Sequence, residues 1–285
     1  MRRYRRFSLY NSPYPAHDTG HGIDLYPETN VGVSPVAGEV LDTRTVGCPD
    51  RPYAADHDHL ILIDTGDAVA RVLHVEPCVE AGETVAVGDP LGGMVRSGFF
   101  GQWVDNHVHL EFRAPDRNPY RATGSLPLAV DCPVRGVGWD GTGRVVDAGE
   151  TYAVLNAPAH PDPGPEPVSF VSLASDDGVP LDGGLPHYTG GGRLDRAPAG
   201  ADGQASTLSL LGTRVGTARG RTVTWDDVAV TVDGERITGI SLFASRESGF
   251  GVKLVSRPSA GEPSFAVGER VSVAVDPVAE PLRLG

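Results

Sequence analysis

Lysine is almost missing from this chain: of 24 Lys plus Arg residues, Lys253 is the one lysine and the remaining 23 are arginine. Cysteine is scarce as well. Cys48, Cys78 and Cys132 are odd in number and far apart, which excludes a disulfide framework and a CxxC zinc knuckle and leaves reduced, partly buried thiols. No stretch approaches the roughly 18 consecutive apolar residues of a membrane span. No apolar period near 3.6 is sustained either, and 37 Gly and 24 Pro interrupt what helical pattern there is, so a helical bundle or coiled coil is excluded. Positive charge is in deficit, with 24 basic against 37 acidic residues and a formal net charge of −13. Such a chain has no basic surface with which to release counterions from a phosphate backbone, so nucleic acid and anionic lipid are disfavoured partners.

The start, MRRYRRF, is locally basic, and Arg2, Arg3, Arg5 and Arg6 read as a solvated arm. Its paired arginines look like the opening of an export signal, but Asn11, Ser12, Pro13 and Pro15 arrive before any apolar region, so a cytoplasmic location is expected. The near-absence of lysine on an acidic chain fits a salt-loving source, although GC-rich coding also exchanges Lys for Arg.

What is present is β patterning. A length of 285 residues favours two domains. Short apolar runs bounded by Gly, Pro and Asp read as strands at 36–41, 60–64, 68–74, 84–87 and 107–113. Ala157 to Pro167 holds five prolines in eleven residues, an extended spacer, and is taken as the boundary between a first domain over 1–156 and a second over 168–285. The second domain is again β-rich. Thr222–Val232, Asp233-Gly234 and Arg236–Phe243 predict a hairpin with a tight turn, and the low-complexity run Gly183 to Gly203 reads as a loop. A short phrase recurs as AGETVAV (81–87), AGETYAV (148–154) and VGERVSV (267–273), which reads as a favoured turn-then-strand solution. The expected class is all-β: an antiparallel sandwich or barrel-like first domain and a second β domain.

Chemistry concentrates in the first half. In NHVHLEFR, strand alternation puts His107, His109, Glu111 and Arg113 on one face and Val108, Leu110 and Phe112 on the other. A lone His-x-His is weak evidence, since an edge strand can carry a polar face. Two further segments supply matching groups, however: His17-Asp-Thr-Gly-His21-Gly-Ile-Asp24 and Arg71-Val-Leu-His74-Val. Separated segments bringing His, Asp, His and His-x-His are the distribution of a catalytic zinc site, with three protein ligands, an open position and extra imidazoles to move protons.

The order HGIDLYPETNVGVSPVAGEVL, LILIDTGDAVARVLHV, VEAGETVAVGDPLGGMVRSG and NHVHLEFR resembles the lysostaphin-type (LytM-like) zinc endopeptidases over residues 15–115. Members of that family share a duplicated hybrid motif β fold and cleave peptide bonds in bacterial cell-wall cross-links. The resemblance implies Zn²⁺ held by Asp24 and His109, with His74 and His107 as the non-ligand histidines that orient or deprotonate water and stabilise an oxyanion. It also implies a peptide or cell-envelope-like substrate. The family's first ligand lies four residues before the Asp, where this chain has Gly20. His21 lies three before Asp24 and His17 seven before; both separations are odd, so a regular strand would turn either ring away. A bulge at Gly20 and Gly22 could re-aim His21, a longer loop could swing His17 into place, or the first ligand is lost.

Other signals are set aside. His57-Asp58-His59 reads as a solvated strand entrance. Gly136 to Gly141 matches GxGxxG, yet no helix follows to bind a pyrophosphate. His160 and His187 read as solvated, and Trp139 and Trp225 as packing residues. Three function classes follow: a zinc-dependent peptidase-like hydrolase; a binding or structural module with that fold and an incomplete metal shell; and a carrier domain, which a chain with a single lysine disfavours. Adaptation to high salt predicts that circular dichroism shows loss of structure on dialysis to low salt; a spectrum indifferent to salt would show that the arginine bias reflects coding alone.

Overall fold

The computed structural model describes residues 1, 3–162, 169–195 and 204–284, and its chain is almost entirely β. It forms two compact units: residues 1–7 with 15–130, and residues 8–14 with 131–285. No helix among the described residues is long and apolar enough to cross a membrane.

In the first unit the strands are β1 (Tyr4–Ser8), β2 (Gly22–Pro27), β3 (Val31–Val33), β4 (Gly38–Gly47), β5 (His57–Asp64), β6 (Val69–Leu73), β7 (Val75–Pro77), β8 (Thr84–Val85), β9 (Pro90–Met94) and β10 (Val108–Arg113). One helical turn, α1 (Pro15–Asp18), precedes β2. The main sheet of this unit runs β1-β2-β10-β6-β5-β4-β8, and β3-β9-β7 form a small second sheet. β10 is central, antiparallel to both β2 and β6. The apolar run Leu60–Ile63 in β5 is buried on both faces, as a continuous hydrophobic stretch in an inner strand requires. The same holds in β10, where both alternating sets are shielded: Val108 and Leu110 on one side, and His109, Glu111 and Arg113 on the other. The histidine-bearing face is therefore not open to solvent.

The second unit carries β11 (Val134–Val137), β12 (Thr142–Gly149), β13 (Tyr152–Leu155), β14 (Phe170–Leu173), β15 (Leu181–Leu185), β16 (Gly190–Arg193), β17 (Ala205–Leu210), β18 (Thr213–Arg219), β19 (Thr222–Trp225), β20 (Val228–Val232), β21 (Glu235–Ile237), β22 (Gly239–Leu242), β23 (Ala244–Ser245), β24 (Lys253–Val255) and β25 (Arg270–Pro277). Twelve of these join in the order β17-β18-β19-β16-β15-β22-β24-β13-β12-β25-β20-β21 over a core that includes Leu155, Leu181, Leu208, Val223, Trp225 and Ile240. Trp139 packs on its edge.

The division at 130/131 differs from the expected boundary at 157–167. The cause is long-range pairing: β12 and β13 hydrogen-bond to β25 and β24, tying 142–155 to the C-terminal half. A proline run reads locally as a spacer, but residues 163–167 of it lie outside the described residues, and His160 just before them is buried, not solvated. The run Gly183–Gly203 also differs from a loop over its first part, which forms β15 and β16; residues 196–203 lie outside the described residues. Its glycines are there because rings lie on the sheet: a Cβ at Gly191 would run into Trp225, and one at Gly192 into Tyr10.

Two expectations about turns hold. Asp233 and Gly234 both have positive φ, 50° and 87°, the geometry of a type I′ turn, and they join β20 to β21. Two of the three copies of the recurring phrase, at 81–87 and 267–273, share one structural device, while the copy at 148–154 forms the turn between β12 and β13. Gly82 (φ 91°) donates to the Val40 carbonyl while the Val40 amide donates back to the Glu83 carbonyl. Gly268 (φ 95°) and Val145 make the same reciprocal pair with Glu269.

His187, expected to be solvated, is completely buried in the second unit against Gly184, Gly239 and Tyr188. Burial, reinforced by the guanidinium groups of Arg257 and Arg283, pushes its pKa down to about 3. In the unfolded chain it would titrate near 6.5. The unfolded state therefore binds the extra proton between these values, and stability falls as pH drops from about 6.5 towards 3. Thermal melts from pH 7 to pH 4 should show a declining Tm, and the decline should be shallower in His187→Gln; equal slopes would contradict this burial.

Candidate metal centre

His109 lies at the middle of β10, directly opposite Asp24 of β2 and opposite Leu73 of β6. Cross-strand neighbours have Cβ atoms about 5 Å apart, so this register alone brings the imidazole to the carboxylate. Nδ1 of His109 is 2.8 Å from Oδ1 of Asp24. The third group comes from outside the sheet. His17 sits in α1, and the chain reverses through Gly20 (φ 64°), with the His21 amide donating to the Ala16 carbonyl at 2.7 Å. This turn delivers Nε2 of His17 to 3.2 Å from Nδ1 of His109 and 3.4 Å from Asp24 Oδ1. The odd spacing between residues 17 and 24 is harmless because His17 is not on the strand. His21 is not brought to the cluster; it is half-buried, with Nδ1 3.1 Å from the Ser125 carbonyl. Gly22 leaves room for the arrangement, since a Cβ there would sit 2.9 Å from Cε1 of His109 and 3.2 Å from the Ala16 methyl.

Behind the cluster stands Glu111. Its Oε1 accepts from Nε2 of His109 at 2.9 Å, and its Oε2 accepts from Arg71 at 2.8 Å and from the Ser125 hydroxyl at 2.6 Å, with Arg113 2.9 Å away. Burial opposes its ionisation, but the bond to His109 and the charges of His109 and Arg71 outweigh that and hold its carboxyl far below the usual range. Likewise burial would raise the Asp24 pKa, yet His107, His17 and His109 together keep it well below the usual carboxylate value. Burial also works against a charge on His109; its hydrogen bonds to Asp24 and Glu111 prevail and raise its pKa to about 9.

His107 precedes β10. Its Nδ1 is 2.9 Å from the Asp105 carbonyl, which can only accept, so Nδ1 carries the hydrogen and Nε2 is a bare acceptor 3.4 Å from Asp24 Oδ1. Burial lowers its pKa to about 4. His74 lies between β6 and β7 with φ at 68°, a conformation that non-glycine residues rarely adopt. Its Nδ1 is 2.6 Å from Oδ2 of Asp58, and its ring centroid is 4.9 Å from that of His107 and 5.7 Å from that of His109. Phe99 and Phe100 cover His74, and Phe100 and Tyr26 flank His107.

The donor set fits a zinc ion. Zinc bonds of about 2.0–2.1 Å in a tetrahedron put ligand atoms roughly 3.3 Å apart, and His17 stands at 3.2 and 3.4 Å from its two partners. His109 donates from Nε2 to Glu111 and from Nδ1 to Asp24, so a metal here would take the place of the Nδ1 hydrogen, and the bare Nε2 of His107 faces the same Asp24 oxygen. Acceptors that converge in a buried space need a cation or a proton between them. A carboxylate on the far nitrogen of a ligating histidine is also the usual support for a metal ligand. Three buried carboxylates (Asp24, Asp58, Glu111) against two buried guanidiniums (Arg71, Arg113) leave the pocket one positive charge short, which the His109 imidazolium supplies and a bound cation would supply in its place.

Six residues were candidates from sequence. The structure gathers His17, Asp24 and His109 as a metal-competent group, sets His107 and His74 beside them and leaves His21 outside. Sequence reasoning passed over Asp58 and Ser97. In the His57-Asp58-His59 segment the outer histidines are exposed or half-buried and the middle carboxylate is fully buried. Its signal was parity: Asp58 shares a face with Leu60 and Leu62. Nothing near Ser97 marked it.

Comparison with known proteins places the chain in a family with two domains. Residues 1–130 match the family described as Domain of unknown function (DUF8155) N-terminal domain, and residues 135–276 match its C-terminal domain. With both parts matched in order, the chain belongs to that family. No curated protein matches it. A solved structure, the NMR solution structure of lysostaphin, is similar at 12% identity over 94% of this chain and 95% of that one, with a TM-score of 0.26. At that score the likeness carries no argument.

Because Gly22 borders the His109 ring, Gly22→Ala should displace that ring and destabilise the first unit by about 1–3 kcal/mol. Urea denaturation with and without added Zn²⁺ measures this; an unchanged midpoint in both would mean the ring tolerates a methyl group there.

Proposed function

We propose that the first unit is a zinc-dependent, peptidase-like hydrolase of lysostaphin type that acts on a peptide bond, in a peptide or cell-envelope-like substrate. The observation that carries this reading is the convergence of His17, Asp24 and His109, with their ligand atoms all within 4.8 Å of one another. Zinc, when bound, supplies Lewis acidity for a carbonyl and for an attacking water.

The chain's own residues supply the rest. Glu111 holds one hydrogen of His109 on Nε2, so that Nδ1, directed at Asp24 and His17, is the nitrogen that would give up its hydrogen to a metal. His107, with its hydrogen given to the Asp105 carbonyl, keeps Nε2 free to accept a proton at the cluster. His74 offers a second imidazole on the same side. Phe99, Phe100 and Tyr26 limit water around both rings, which strengthens every charge interaction inside. A cleft of about 540 Å³ adjoins this region, lined by Arg5, Asn30, Tyr53, Arg96, Asp105 and Asn106. Asp105 and Asn106 lead directly into His107, so the cleft offers a polar approach for an amide-rich chain.

A second reading, a binding or structural module with this fold, is favoured by one observation: none of the five clustered side chains is more than 7% exposed. Metal analysis separates the two, together with turnover of a quenched-fluorescent peptide library. The hydrolase reading expects about one Zn²⁺ per chain and hydrolysis abolished by chelator. His17→Ala and Asp24→Ala should lose the metal, His21→Ala should keep it, and Glu111→Gln should weaken it roughly 10- to 100-fold. Bound zinc without hydrolysis would support the module; no zinc at neutral pH would overturn the metal centre.

A further inference from the structure

Asp58 is a fully buried carboxylate that the zinc shell does not use. All of its hydrogen bonds are directed. Oδ1 accepts from the backbone amides of His59 (2.7 Å) and His74 (3.1 Å), while Oδ2 accepts from Nδ1 of His74 (2.6 Å) and from the Ser97 hydroxyl (2.7 Å). The group therefore holds both the backbone and the ring of a residue kept at positive φ. Burial opposes its charge, but His74 and the hydrogen bonds from His74, Ser97 and His59 keep the carboxyl below its ordinary range.

We propose that Asp58 is a positioning residue that fixes His74 as the Nδ1–H tautomer, with the far edge of its ring, and hence a bare Nε2, directed away from Asp58 towards His107 and His109. The kinetic consequence of this rests on the hydrolase reading; the tautomer does not. An ionised carboxylate can only accept, so the nitrogen 2.6 Å from it must donate. A second conclusion concerns Ser97, which starts the segment bearing Phe99 and Phe100. Its hydroxyl joins that aromatic cover to the same carboxylate.

The geometry dictates what amide replacement does. In Asp58→Asn the two backbone amides still require an acceptor at Oδ1, so the NH₂ group takes the place of Oδ2 and faces Nδ1 of His74. That donor reverses the tautomer and moves the ring hydrogen to Nε2, which can then no longer accept a proton. Long-range ¹H–¹⁵N correlation spectra of histidine-labelled protein, assigned with His74→Ala, read this directly. The expected result is Nδ1–H in the parent and Nε2–H in Asp58→Asn, with zinc stoichiometry equal in both. Turnover of the peptide library should fall roughly 10²- to 10⁴-fold in kcat with KM nearly unchanged.

An Nε2–H tautomer in the parent, or the same tautomer in both proteins, would overturn the proposal. So would a reversed tautomer with unchanged kcat. If neither protein binds zinc, the hydrolase reading fails while the spectra still decide the role of Asp58. Should Asp58→Asn not fold, Ser97→Ala removes one donor only; faster solvent exchange of the His74 Nδ1 hydrogen is then expected, and unaltered exchange would count against the network.

Discussion

The pairing of Asp24 with His109 across the central strands, with Glu111 at the back of the same imidazole, is the constraint on which the first unit depends. An imidazole held between two carboxylates in a buried space is tolerable only if positive charge is shared among them, because unpaired buried charge costs several kcal/mol per ion. Arg71, Arg113 and Ser125 satisfy Glu111 from one side. On the other side His17 and His107 bring further nitrogen atoms to Asp24. The local backbone conforms to this arrangement. Gly22 has no side chain because the His109 ring occupies the space, and Gly20 adopts positive φ so that α1 can carry His17 inward.

Around this centre the protein is built with economy of form. The two units share no strand pattern that the sequence makes obvious, yet each uses the same Gly-Glu turn, in which a glycine amide and a strand valine exchange backbone hydrogen bonds. The second unit places aromatic rings directly on glycine-bearing strands, as Tyr10 on Gly192 and Trp225 on Gly191. Glycine-rich composition there is a packing solution and not a sign of an unstructured loop. Its only lysine, Lys253, is buried, with its ammonium 4.5 Å from the centre of the Tyr152 ring.

Burial separates the two sets of histidines. His57 and His59 flank the site in sequence but stay at the surface or half-buried, while His17, His74, His107 and His109 are enclosed. Enclosure gives each imidazole its own hydrogen-bond partners: a carbonyl for His107, a carboxylate for His74 and two carboxylates for His109. Three histidines within a few ångströms are thereby each oriented by a different acceptor.

Periodicity and turn chemistry were legible in the residues alone: the all-β class, the strands around 60–64 and 107–113 and the Asp-Gly hairpin. These depend on local rules, alternation of side chains along a strand and the φ values that glycine and aspartate accept. The domain division, the approach of His17 and not His21 to Asp24 and His109, and the enclosure of Asp58 beside His74 were decided by tertiary structure. Each depends on which distant segments pair: β12 and β13 with the C-terminal strands, α1 folding back over β2, and β5 lying beside the end of β6. A linear sequence carries no direct record of such contacts, because the free energy that selects them comes from burial and hydrogen bonding between residues far apart in the chain.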